Sequence, residues 1–183
     1  MTENIPTEIK AYALSNDDIQ RILKPDTRIF TYPDFATFDT IDDAFDDLGR
    51  CIFLFLTESK TAGHWLCMMK RGDTIEYWDS YGEKPEAQRS WLSQDELEEL
   101  GQGEPYLLNL LQQSGYKVYY NTHKYQKTSP IDNECGRWCC ARLVCKDISN
   151  DEFLKLVKKG MKDNKLRTPD DWVSAFIADI LGK

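Results

Sequence analysis

The stretch CIFLFLTESKTAGHWLCMMKRGDTIEYWD, residues 51–79, decides the fold. Three short strands can be read in it, over 51–57, 64–70 and 74–78, each apolar or aromatic and each bounded by polar or turn-forming residues. Arg71-Gly72-Asp73 joins the second to the third as a tight hairpin, because Gly and Asp tolerate the backbone angles such a turn needs. The first strand is apolar at every position from Cys51 to Leu56, so both of its faces are buried and helices must cover the sheet. The expectation is an α+β layered fold around a central mixed or antiparallel sheet.

Toward the N-terminus, residues 1–50 read as a helical and irregular segment packed on that core. Ser15 caps a helix over Asn16-Asp17-Asp18-Ile19-Gln20-Arg21-Ile22-Leu23 that Pro25 closes, and a second short helix is predicted over 40–48, ended by Gly49. Phe30, Tyr32, Phe35 and Phe38 keep neither helical nor strand period, and the reading is a connecting segment that packs its rings onto the core. On the C-terminal side, helices are predicted over 87–100 and 105–114, the latter stopped by Gly115, followed by a strand over 116–120. A loop over 121–134, containing Pro130, leads into a helix from Cys135 to about 146. Ser149 with Glu152 forms a capping box for the next helix, which Gly160 ends, and Thr168, Pro169 and Asp171 open the last one, with Gly182 after it. The organisation is a single domain over 1–183, with a core over 51–146 and C-terminal helices over 147–183.

Composition excludes several function classes. With 31 acidic against 23 basic side chains, the net charge of -8 repels a phosphate backbone over most of the surface, which argues against nucleic acid as the primary ligand. The run from Cys51 to Leu56 is far too short to span a bilayer, and Met1-Thr2-Glu3-Asn4-Ile5-Pro6 lacks the basic-then-apolar order of a secretory leader. Neither membrane insertion nor secretion is indicated. Six cysteines in such a chain read as reduced thiols; Cys135, Cys139, Cys140 and Cys145 lack paired CxxC spacing, and His64 and His123 lie outside that segment, which argues against zinc.

Among those thiols Cys135 differs by position, since it opens a helix where the partial positive charge of the N-terminus favours thiolate, and Gly136 beside it leaves room for a substrate backbone. A nucleophilic cysteine needs a proton acceptor. His64, at a strand start after Thr61-Ala62-Gly63, is preferred over His123 because Asp79 ends the neighbouring strand, where a carboxylate can fix the imidazole tautomer and stabilise its charged form.

Gly63-His64-Trp65, then Tyr77-Trp78-Asp79-Ser80, then Gln126, then Glu134-Cys135-Gly136 follow the order His, Asp, Gln, Cys. In this the chain resembles the peptidases that unite the adenovirus-type capsid-maturation proteases with the Ulp1-like SUMO and ubiquitin-like proteases. The resemblance implies a papain-like cysteine protease variant with the nucleophile at a helix N-terminus and no metal or organic cofactor. It implies that Gln126 helps form the oxyanion hole with the backbone N–H of Cys135, Asn121 and Asn133 being the alternatives, and that Trp65 walls a narrow channel selecting Gly-containing motifs before the cut. The function it implies is a cysteine endopeptidase that matures viral capsid or core precursors, working in the virion or in the host cytoplasm or nucleus. A deubiquitinase or deSUMOylase acting on host conjugates is the alternative. Outside that enzyme class stand a non-catalytic module that binds a protein tail and a redox sensor built on Cys135, Cys139 and Cys140. The adenovirus enzymes also suggest a peptide activator as a partner, whereas the acidic charge argues against activation by DNA.

Overall fold

In the computed structural model the described residues are 13–24, 26–128 and 133–182. Among them five strands form one sheet in the order β1-β2-β3-β4-β5: β1 (Arg28–Thr31), β2 (Arg50–Ser59), β3 (Ala62–Arg71), β4 (Thr74–Trp78) and β5 (Lys117–Tyr120). The central pairs β2/β3 and β3/β4 are antiparallel, and the outer pairs β1/β2 and β4/β5 are parallel, so the sheet is mixed. The predicted hairpin joins β3 to β4, with Gly72 at φ +57.

Strand alternation splits the apolar residues between two faces. Ile52, Cys67, Met69 and Trp78 face a core shared with the helices α1 (Asn16–Leu23), α4 (Cys135–Val144), α5 (Asn150–Asp163) and α6 (Pro169–Leu181). Cys51, Phe53, Phe55, Leu66, Met68, Ile75 and Tyr77 face a second core closed by Tyr32, Phe35 and Ile41, by Leu97 of α2 (Gln94–Glu99), and by Leu107, Leu110 and Leu111 of α3 (Tyr106–Gln113). Every residue from Cys51 to Leu56 is buried, as a sheet covered on both sides requires.

The helix starts follow their capping residues. Ser15, Ser149 and Thr168 each accept a bond from the N3 backbone N–H while the N3 carboxylate accepts one from the backbone N–H of the cap. Four readings are corrected. The segment around Phe30 packs its rings onto the second core as read, but it also contains β1, whose four residues pair in parallel with Cys51 to Leu54, a contact set by distant chain and not by local period. The helix over 40–48 shrinks to one 3-10 turn, Ile41–Ala44, because Asp43 caps the N–H groups of Asp39 and Thr40 and the chain then turns through Gly49 at φ +72. The helix over 87–100 is two pieces, a 3-10 turn Ala87–Trp91 and α2, because Ser93 and Glu96 make a capping box in its middle. Gly160 does not end α5, which runs on to Asp163; a Cβ at Gly160 would overlap the Trp172 indole, so this glycine admits α6 against α5. Pro25 and Pro130 lie outside the described residues.

Candidate active site

β3 delivers His64 one residue after Gly63, where the strand lies so close to β2 that a Cβ would overlap the Phe55 carbonyl. β4 ends at Trp78 and hands the chain to Asp79, which is fully buried. Asp79 Oδ1 lies 2.8 Å from His64 Nε2, and the two residues, 15 apart in sequence, thus form a buried ion-pair contact. Nε2 being occupied, Nδ1 is the ring nitrogen left for the thiol, and Cys135 and His64 each shift the other's pKa. Cys135 is the first residue of α4, 9% exposed, and the Trp65 N–H points at its Sγ at 3.5 Å.

These contacts set the charge state of the pair. Burial alone pulls the His64 pKa down, but the Asp79 hydrogen bond, the Cys135 hydrogen bond and the negative charge of both partners outweigh it and raise it to about 10. For Cys135 burial pushes the pKa up, while the hydrogen bond and charge of His64 and the N–H groups of Trp65 and Gly136 bring it below the usual thiol range. The arrangement therefore favours thiolate with imidazolium. By contrast, burial raises the Cys139 and Cys140 thiols, and both are fully buried, which suits packing and not a redox sensor.

Asp79 is itself held from several sides. Gln88 Nε2 donates to Oδ2 at 2.8 Å while Gln88 Oε1 accepts from Tyr77 OH at 3.1 Å, and the Tyr81 N–H donates to Oδ1. Asn121 accepts from the Asp79 N–H at 3.0 Å and donates to the Asp79 carbonyl at 2.7 Å. That commits the Asn121 amide to the Asp79 backbone and removes it as an oxyanion donor. Tyr81 stacks on the His64 ring at 4.7 Å between centroids, and Trp91 meets the same ring edge-on at 5.4 Å.

Gln126 is buried; its Oε1 accepts from Ser80 Oγ at 2.7 Å and its backbone N–H donates to the Ser80 carbonyl, which ties its loop to the residue after Asp79. Asn133 is exposed and lines a cleft of about 470 Å³ together with Cys135, Trp65, Gly63, Leu14 and Lys60. Gly136 is buried beneath Trp65, its missing Cβ 3.1 Å from the indole Cδ1. The space that glycine leaves is filled by this chain's own tryptophan, which corrects the reading of an opening for substrate there. His123 is exposed, packs edge-on against Tyr125, and has its pKa lowered by burial and by Lys158; neither the thiol nor Asp79 is among its partners.

Sequence reasoning missed Gln88 and Trp91. The capping box Ser93–Glu96 was the available signal, since it sets residues 87–91 apart as a separate turn, but nothing local marks Gln88 as a partner of Asp79. Among the described residues no group of three or more His, Cys, Asp or Glu side chains could hold a metal ion, and no helix is long and apolar enough to cross a membrane.

Fold and site together define an α+β protein with a buried imidazole and carboxylate in contact at one end of a mixed sheet and a buried thiol at a helix start. The chain belongs to the family of the Sputnik virophage protein described as "Uncharacterized protein V9", to which it is 39% identical over 171 residues, 91% of this chain and 97% of that one. No family model matches. Among solved structures it is similar to the ASFV pS273R protease, 16% identical with TM-score 0.46 over 96% of this chain and 70% of that one. It is also similar to the SUMO protease Ulp1, 15% identical with TM-score 0.38 over 92% and 79%. A third likeness is the central domain of the uncharacterized Lpg1148 protein of Legionella pneumophila, 18% identical with TM-score 0.39 over 91% and 98%.

Proposed function

We propose that this chain is a cysteine peptidase in which Cys135 is the nucleophile, His64 the base and then the acid, and Asp79 the group that orients and charges His64. The observation that carries the reading is the buried Asp79–His64 contact beside Cys135 at the start of α4, with His64 drawing the thiol toward thiolate. The Cys135 sulfur attacks a peptide or isopeptide carbonyl carbon, and the carbonyl electron pair moves to oxygen. The tetrahedral intermediate collapses as His64 gives its proton to the leaving amine, leaving a thioester on Cys135. Water then attacks the thioester with His64 taking its proton, releasing the acid and restoring the thiolate. Gln126 and the Cys135 N–H are the donors assigned to the oxyanion.

Trp65, stacked over Gly136 beside the cleft that reaches Cys135, supports a channel selective for glycine before the scissile bond. The virophage relative favours maturation of a viral capsid or core precursor within an infected cell or virion, over removal of ubiquitin-like conjugates. Incubating the purified chain with virophage capsid precursors, beside its Cys135→Ala variant, tests the substrate. Cleavage at Gly-containing sites that requires Cys135 supports maturation, whereas covalent capture by a ubiquitin-like probe carrying a C-terminal electrophile, with inert precursors, supports the deconjugating reading. Equal cleavage of peptides with Gly and with Val before the cut removes the role given to Trp65.

A further inference from the structure

The first turn of α6 carries a carboxylate whose position helix capping does not explain. Thr168 and Asp171 complete the capping box between themselves: the Thr168 N–H donates to Asp171 Oδ2 at 2.9 Å and the Asp171 N–H to Thr168 Oγ1 at 3.1 Å. Asp170, beside them and 6% exposed, turns instead to other elements. Its Oδ1 accepts from Trp138 Nε1 at 2.8 Å, and its Oδ2 accepts from the Lys127 backbone N–H at 3.1 Å. Trp138 is one turn beyond Cys135 on α4, and Lys127 adjoins Gln126. A turn later on α6, Ser174 Oγ donates to Glu134 Oε1 at 2.9 Å, and Glu134 adjoins Cys135. One face of α6 thus grips the chain next to both the thiol and the amide assigned to the oxyanion.

From this geometry we infer that Asp170 is a positioning residue that sets the Gln126 loop against the nucleophile helix, an inference that rests on the peptidase reading above. A carboxylate can accept from both donors at once, one per oxygen. In Asp170→Asn one oxygen becomes an amide nitrogen facing an N–H group, so the same volume no longer fits both partners and the Gln126 loop is released. Outright removal of an oxyanion donor costs roughly 100- to 1,000-fold in kcat, and displacing one costs less, about 10- to 100-fold. Thiolate formation depends on His64 and the N–H groups of Trp65 and Gly136, whereas Asp170 bonds to Trp138 and Lys127.

The test uses the full chain and a peptide with Gly-Gly before a fluorogenic amide, together with alkylation of Cys135 by iodoacetamide. Asp170→Asn should lower kcat by about 10- to 100-fold with KM nearly unchanged, weaken a peptide aldehyde inhibitor by a similar factor, and leave the rate and pH profile of alkylation as in the parent. In a Gln126→Ala background the same substitution should have little further effect on kcat. The inference is overturned if Asp170→Asn keeps the parental kcat, if its loss is undiminished without Gln126, or if alkylation falls in step with kcat, as a purely structural role would make it. Should the Asn variant not fold, Asp170→Glu keeps both acceptors but shifts the loop by one methylene, and an unchanged kcat there overturns the inference equally. Parent turnover compared with Cys135→Ala is read separately: no Cys135-dependent turnover removes the peptidase reading, whereas normal turnover with an inert Asp170 substitution removes only the inference.

Discussion

Replacing Asp79 by Asn isolates the charge that sustains the thiolate and imidazolium pair. Asp79 is fully buried and accepts from His64 Nε2, from the Tyr81 N–H and from Gln88. An Asn that keeps its oxygen on His64 and Tyr81 turns its amide nitrogen toward Gln88. Gln88 can then rotate its own amide to accept that bond and donate to Tyr77 OH, which leaves only the Tyr77 hydroxyl hydrogen without its acceptor, so the fold survives with reduced stability. What is lost is the charge. A hydrogen bond to a charged group contributes about 1.5–3 kcal/mol, and one pKa unit corresponds to about 1.4 kcal/mol, so the imidazolium loses roughly one to two units of stabilisation. The sign follows from the pairing: Asp79 raises the His64 pKa, so in Asp79→Asn the imidazolium titrates lower. The pH window holding both charged forms narrows from its upper side. The assay is the titration of the His64 imidazole protons by NMR, whose midpoint should move down by about one to two units, with circular dichroism showing an unchanged fold. A midpoint at the parental pH in a folded Asp79→Asn protein refutes the reasoning.

His123→Ala should leave peptidase turnover at the parental level, because His123 is exposed and packs on Tyr125, whereas His64→Ala should abolish it; equal losses in both would exchange the two histidines' roles. Gly160→Ala gains about 1 kcal/mol of helix propensity but forces a methyl into the buried Trp172 indole, an overpacking cost of about 1–3 kcal/mol or more, so urea unfolding should show a net loss of stability. Arg142 is fully buried, paired with Glu76 at 2.9 Å and bonded to the Cys145 and Ile148 carbonyls, so Arg142→Ala should destabilise by about 3–5 kcal/mol in chemical denaturation. In Cys135→Ala the His64 ring should titrate lower than in the parent, because two of the causes that raise it are lost, and NMR of the imidazole protons reads the shift directly.

By itself the sequence determined what depends on near neighbours. The apolar run from Cys51 required a sheet covered on both faces, Gly72 allowed the hairpin that carries His64 and Asp79, and Ser15, Ser149 and Thr168 started their helices where their side chains meet the N3 backbone. The order His64, Asp79, Cys135 was legible because strand pairing and a helix start are local signals that bring those residues to one end of the sheet. Only the tertiary structure decided the rest. β1 exists because Cys51 to Leu54 lie beside it, Gly160 continues its helix because Trp172 needs the space, and Gly136 is covered because Trp65 lies over it. Gln88, Asn121 and Asp170 are ordinary polar residues in sequence. Each acquires its role from a donor or acceptor more than eight positions away, and such a partner is fixed by packing and register, which no local pattern encodes.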